Sequence, residues 1–179
     1  KLIRSHGRMD TTNYFETGEV SEYLQLGFNW RMSSITAALG LSQLQKLDRI
    51  IKMRQNNANE ISARISKYSE IVTPKDIPGY ENIYQLYSIL LPNENIRNGL
   101  HEYLKQKRII SKIYFSPIHQ TSFYKDKLKI IPEELPITEE ISSRILTLPL
   151  YPNMTKEEKD YLVSSISEYF EESKSYVYE

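Results

Sequence analysis

The chain has 179 residues, 40% hydrophobic and 26% charged, a balance that suits one globular domain with a sizeable core rather than a disordered chain. Lysine plus arginine and aspartate plus glutamate both number 23, and a net charge near zero argues against a general nucleic-acid binder. The absence of cysteine excludes disulfides and thiolate metal sites, the three separated histidines give no reason to expect a metal cluster, and no apolar run reaches membrane-spanning length, so a cytoplasmic protein is expected.

The first residue is Lys1, and Lys1-Leu2-Ile3-Arg4-Ser5-His6-Gly7 reads as the middle of a longer protein. Residues 1–32 read as irregular, with turn chemistry at Thr11-Thr12-Asn13 and Gly18-Glu19, and with Tyr14, Phe15, Tyr23 and Leu24 as apolar anchors. A long helix is predicted from Ser33 or Ser34, either of which can cap it. Leu41, Leu44, Leu47 and Ile51 recur at helical spacing, and the pattern continues through Ile61 and Ile65.

Pro74, Pro78 and Gly79 break the chain. Ile83 to Leu91 reads as a strand buried on both sides, stopped by Pro92. Ile96 to Gln106 fits a short helix with Leu100 and Leu104 inward, against which Gly99 counts. Ile109 to Phe115 reads as a second strand, and the stretch through Phe123, Tyr124 and Ile131 as a loop. Thr138 is a plausible cap for a helix over Glu139 to Arg144, and Ile145 to Leu148 is the third strand. Thr155-Lys156-Glu157-Glu158 is a capping box, and the helix behind it aligns Leu162, Val163, Ile166, Tyr169 and Phe170. The order suggests an α+β fold: a long helix and a small three-stranded sheet with helices on one face.

Two groups of residues invite chemistry. Asn29 and Arg31 stand in Gly27-Phe28-Asn29-Trp30-Arg31-Met32, just before the long helix. An amide and a guanidinium at a helix N-terminus can hold a phosphate. Equally, Asn29 can satisfy a turn and Arg31 can be a surface charge; on residue type alone the turn reading leads. In Tyr114-Phe115-Ser116-Pro117-Ile118-His119, the side chains of Tyr114 and His119 can line a pocket, or they can be a core tyrosine and a turn histidine. The paired acids Glu133-Glu134, Glu139-Glu140 and Glu157-Glu158 sit by prolines or helix starts, where acids are expected. Lys105-Gln106-Lys107-Arg108 reads as a solvated helix end.

These motifs, in this order, resemble the C-terminal portion of the DegT/DnrJ/StrS family of pyridoxal-phosphate-dependent sugar aminotransferases. The resemblance rests on Gly27, Asn29, Arg31, Met32, Ala37, Ala38, Gln43, Leu44, Leu47 and Asp48, with Arg4-Ser5-His6-Gly7 similar to the family's Arg-x-His-Gly segment. Tyr114 to His119 resembles its Tyr-x-x-Pro-Leu-His turn, with Ile118 in place of leucine, and Leu148 to Pro152 with the capping box resembles its last strand, turn and helix. The likeness runs from Arg4 to Phe170.

The resemblance implies a fold-type I small domain over residues 33–179, preceded by an irregular segment (1–32) that follows the large cofactor domain. It implies a homodimer using pyridoxal 5'-phosphate, in which Asn29 reaches the partner subunit's cofactor phosphate, Arg31 shapes the same region, and Tyr114 and His119 border the sugar-nucleotide pocket. The reaction implied turns a keto-sugar nucleotide into an amino-sugar nucleotide, with glutamate as donor. The family's Schiff-base lysine precedes the Arg-x-His-Gly segment, so no catalytic residue is assigned here and the fragment alone is expected to be inactive. A histidine at that upstream position would make the parent a dehydratase. A reading of another class is a non-catalytic dimerisation or interaction module built on the long helix and the tyrosine-rich surface.

Overall fold

The structure, a computed structural model, describes residues 2–8, 22–129 and 134–175. The turns expected at Thr11-Thr12-Asn13 and Gly18-Glu19, the anchors Tyr14 and Phe15, and Lys1, Ile131, Pro132 and Glu133 lie outside the described residues. The chain forms two compact units, Lys1–Leu47 and Asp48–Glu179.

In the first unit a 3-10 turn at Leu2–Arg4 leads into a backbone clip with the stretch from Leu24 to Trp30. Helix α1 (Ser34–Leu44) follows, capped by Ser33, whose hydroxyl accepts from the Thr36 N–H at 3.2 Å. The predicted single helix is in fact two. At Gln45-Lys46 the ladder tightens, with the Lys46 N–H bonded to the Gln43 carbonyl, and α2 (Leu47–Ile65) starts afresh. The two helices also differ in burial. α1 buries none of its residues, whereas α2 buries Asn57, Ala58, Ile61 and Ile65.

The second unit is built around two antiparallel strands, β1 (Tyr87–Leu90) and β2 (Ile145–Leu148), in the register Tyr87↔Leu148, Ser88↔Thr147, Ile89↔Leu146 and Leu90↔Ile145. Val72 adds a one-residue bridge to the free edge of β1, and Lys112 does the same for β2. The expected three-stranded sheet is therefore corrected to two strands with a bridge at each edge. Lys112 exchanges both backbone bonds with Thr147, at 2.9 and 2.7 Å. Before that residue Ile109 and Ser111 are buried, but past it the side chains are not, Ile113 and Phe115 being 38% and 69% exposed, so no further ladder is sustained. The first strand is also shorter than expected. Tyr84 has a left-handed φ of 49°, and the Arg54 guanidinium holds its carbonyl at 2.9 Å, so the extended run begins only at Tyr87.

Helices α3 (Glu94–Gln106), α4 (Ser122–Leu128), α5 (Pro136–Arg144) and α6 (Lys156–Ser175) complete the unit. α3 is capped by Asn93, and α5 opens on Pro136, two residues before the expected cap Thr138. α4 occupies what reads in sequence as loop. Leu100 and Leu104 from α3 and Leu162, Val163, Ile166 and Phe170 from α6 join Ile61, Ile65, Tyr87, Ile89, Leu146 and Leu148 in one core. Each such side chain, removed from water, contributes about 1.5–3 kcal/mol. Gly99, which counted against α3, has a packing reason. A Cβ there would lie well under 3.0 Å from the Tyr169 hydroxyl, which itself donates to the Ile96 carbonyl.

The capping box forms as predicted: the Glu158 N–H donates to the Thr155 hydroxyl at 3.2 Å, and the Thr155 N–H to the Glu158 carboxylate at 2.8 Å. The proline-rich turn before it is tied to α2. Asn57 donates to the carbonyls of Tyr151 and Pro152, and Arg54 to that of Leu150. These bonds satisfy carbonyls of the turn, which lies past the end of the β1–β2 ladder.

Candidate functional site

Two short motifs far apart in sequence meet in the first unit. Ser5 and Asn29 form an antiparallel bridge. Around it, the N–H groups of Phe28 and Trp30 donate to the carbonyls of Ile3 and Arg4 at 2.6 and 3.0 Å, and the His6 N–H donates to the Phe28 carbonyl at 2.9 Å. The crossing works only with glycine. A Cβ on Gly27 would overlap the Gly7 backbone, and one on Gly7, whose φ is 78°, would overlap the Gln25 carbonyl.

The clip is held by the backbones of Phe28 and Trp30, on either side of Asn29. Asn29 and Arg31 are both exposed. Phe28 and Trp30 stack with ring centroids 4.6 Å apart and planes within 7°. In extended backbone the residue between them faces the other way, so the rings brace Asn29 from behind. The Asn29 amide has no hydrogen-bond partner among the described residues. An amide and a guanidinium two residues apart, on a braced segment before a capped helix, are chemically suited to phosphate oxygens. The phosphate end of a pyridoxal cofactor fits this donor set.

The second unit carries Tyr114 and His119. Tyr114 is half-buried, stacks on Phe115 at 4.5 Å and lies beneath the Lys112 ammonium, which is 5.3 Å from its ring centre. It borders two shallow cavities. One, of about 310 Å³, lies between the Tyr114-to-Pro117 stretch and the α5 residues Ile137, Thr138 and Ile141. The other, of about 200 Å³, is shared with Leu86, Ile110, Lys112 and Pro149.

His119 is buried, 6% exposed, in a 3-10 turn at Ile118–Gln120. Its Nε2 lies 2.5 Å from the Glu139 Oε1, and the Gln120 side-chain amide donates to the other oxygen of the same carboxylate. Those two hydrogen bonds, the one from His119 first, hold the Glu139 carboxyl below the usual glutamate range. An ionised carboxylate only accepts, so Nε2 carries the proton and its donating capacity is spent on Glu139. Sequence alone dismissed Glu139 as an ordinary acid at a helix start. The signal for its pairing lay twenty residues away in a turn, where no local pattern could show it. Asn29 and Arg31 belong to the first unit, and Tyr114 and His119 to the second.

The family model for the DegT/DnrJ/EryC1/StrS aminotransferase family matches residues 1–167. Among curated proteins the chain is 29% identical to the GDP-perosamine synthase of Escherichia coli O157:H7 over 145 residues, covering 81% of this chain and 38% of that protein. Among solved structures it is similar to Helicobacter pylori PseC, an aminotransferase involved in the biosynthesis of pseudoaminic acid. That match has a TM-score of 0.81 and 25% identity, over 96% of this chain and 45% of that one. A DegT DnrJ EryC1 StrS aminotransferase from Brucella abortus gives a TM-score of 0.77 at 27% identity, over 94% and 42%. The chain thus spans less than half the length of each of these relatives.

Proposed function

The chain belongs to the DegT/DnrJ/EryC1/StrS aminotransferase family, and on that premise we propose that it forms the C-terminal part of a pyridoxal-phosphate-dependent enzyme that aminates a keto-sugar nucleotide, with glutamate as amino donor. Residues 33–179 are its small domain, and the working unit is a cytoplasmic homodimer. The Schiff-base lysine lies in the portion preceding Lys1, and residues 1–179 alone are catalytically inactive.

The observation that carries the reading is the bridge between Ser5 and Asn29. It joins the two motifs that most resemble the family's cofactor region into one braced structure with an outward amide. Asn29 donates to the cofactor phosphate of the partner subunit, and Arg31 adds positive charge beside it. When bound, the cofactor supplies the electron sink through which an amino group moves between donor and acceptor. The chain's own part is to bind and orient: the amide and guanidinium fix the phosphate end, and the Tyr114 turn borders the sugar. Positioning of this kind lowers a barrier by removing motion that the reaction would otherwise have to arrest.

The test is spectroscopic. Purified full-length protein should show the visible absorbance of a lysine-bound cofactor, lose it on borohydride reduction, and bleach reversibly with glutamate. A colourless protein that takes up no pyridoxal phosphate would contradict the proposal.

A further inference from the structure

The carboxylate of Glu139 makes two bonds to one short turn, and among the described residues these are the turn's side-chain hydrogen bonds to α5. Nε2 of buried His119 and the side-chain amide of Gln120 both reach it, one to each oxygen. The rest of the turn is held by local backbone bonds, Gln120 to Pro117 at 3.0 Å and Thr121 to Ile118 at 3.1 Å. These shape the turn but do not attach it to anything. Glu139 sits in the first half of α5, and its neighbours Ile137 and Thr138 form one wall of the 310 Å³ cavity whose other wall is Tyr114, Phe115 and Pro117. The carboxylate is thus a strut between the two walls.

We infer that Glu139 is a positioning residue for sugar binding: by holding His119 and Gln120 against α5 it sets the width of the cavity and the placement of Tyr114. This rests on the reading that Tyr114 borders the sugar pocket. Glu139 is not among the residues that line the cavity. It acts through His119, whose Nε2–H it fixes, so that a neutral ring can only accept at Nδ1. Phe115 and Ile137, 69% and 74% exposed, give the cavity an apolar rim, which suits the carbon face of a sugar ring. Without the strut the turn keeps its local bonds but loses its distance from α5. The expected loss is therefore in sugar affinity, with the amino-donor step untouched.

A ping-pong aminotransferase separates these two steps. Full-length enzyme and its Glu139→Ala and Glu139→Gln variants are assayed in two halves. The first is bleaching of the cofactor by glutamate. The second is recovery of its absorbance with UDP-, GDP- and dTDP-linked 4-keto sugars, the one used by the unaltered enzyme being carried forward. Glu139→Ala should raise KM for the keto sugar about tenfold, the loss of roughly one charge-assisted hydrogen bond, with the glutamate half within about twofold. Glu139→Gln, which still accepts from Nε2–H, should recover part of the affinity. Equal slowing of both halves, or an unchanged KM, overturns the inference. If Glu139→Ala does not fold, the same split in Glu139→Gln decides. Failure of the unaltered enzyme to bleach with glutamate would instead overturn the proposed function.

Discussion

Gly27 crosses Gly7 so closely that a Cβ on Gly27 would lie well under 3.0 Å from the Gly7 nitrogen. The two glycines are 20 positions apart, and each belongs to a motif that resembles the cofactor region of the family. Their contact sets the bridge between Ser5 and Asn29, and with it the position of the only polar side chain between Phe28 and Trp30. Replacing Gly27 by alanine should push these backbones apart. In full-length protein, Gly27→Ala is expected to weaken pyridoxal phosphate binding at least tenfold, by forfeiting the placed amide and about 2 kcal/mol of local structure. Equilibrium dialysis checks this; unchanged retention would mean that the crossing has no bearing on the cofactor.

Gly99 presents the same close approach in a helix, with an opposite bias from propensity. Alanine is favoured over glycine in a helix interior by about 0.8–1 kcal/mol. Here the added methyl would meet the Tyr169 hydroxyl, on a ring wedged between Tyr103 at 5.5 Å and Phe170 at 5.2 Å. Gly99→Ala should therefore destabilise by about 1 kcal/mol in urea titrations. In a Tyr169→Phe background, where the hydroxyl is gone, the same change should be neutral or stabilising. Contacting pairs are non-additive in this way.

Thr155→Ala removes one half of the capping box at the start of α6 and should cost about 1 kcal/mol. Thr155→Ser keeps the hydroxyl and should cost much less. Thermal melts of the two variants side by side provide the comparison.

Such local signals account for most of what the sequence made legible. The capping box and β2 form where predicted because their causes lie within a few residues: a reciprocal pair of side chains in one case, and an apolar run between Arg144 and Pro149 in the other. The stripe on α6 was readable for the same reason. What escaped prediction depends on distant partners. The Ile109-to-Phe115 run has the composition of a strand, yet only Lys112 finds a partner, Thr147. Tyr84 leaves extended geometry where Arg54, thirty residues earlier, takes its carbonyl. α4 is a two-turn helix without a side-chain cap, and nothing in Ser122–Leu128 announces it. At the candidate site, the residue types and order of Asn29, Arg31, Tyr114 and His119 could be read, but the strut at Glu139 could not.

The depressed Glu139 carboxyl gives a pH signature with a definite sign. A group whose folded pKa lies below its ordinary value stabilises the fold fully above the ordinary value, here about 4.5, and that contribution is lost as pH falls through the lower folded value. Asp160 and Glu168, each hydrogen-bonded to a lysine, act in the same direction. Stability should therefore decline below about pH 4.5, and Glu139→Gln should make that decline shallower. Urea midpoints measured from pH 3 to pH 7 test it; an acid limb identical in the variant would show that the pair with His119 contributes nothing to folding.

An Asn29 amide that donates to a cofactor phosphate should matter to a phosphorylated ligand and not to its dephosphorylated counterpart. The most direct measurement is a spectrophotometric titration of full-length protein and its Asn29→Ala variant with pyridoxal phosphate and, separately, with pyridoxal, which has no phosphate. The variant should bind pyridoxal phosphate about 5- to 150-fold more weakly, the equivalent of about 1–3 kcal/mol, and bind pyridoxal as the unaltered protein does. Equal effects on both ligands, or on neither, would contradict that donation.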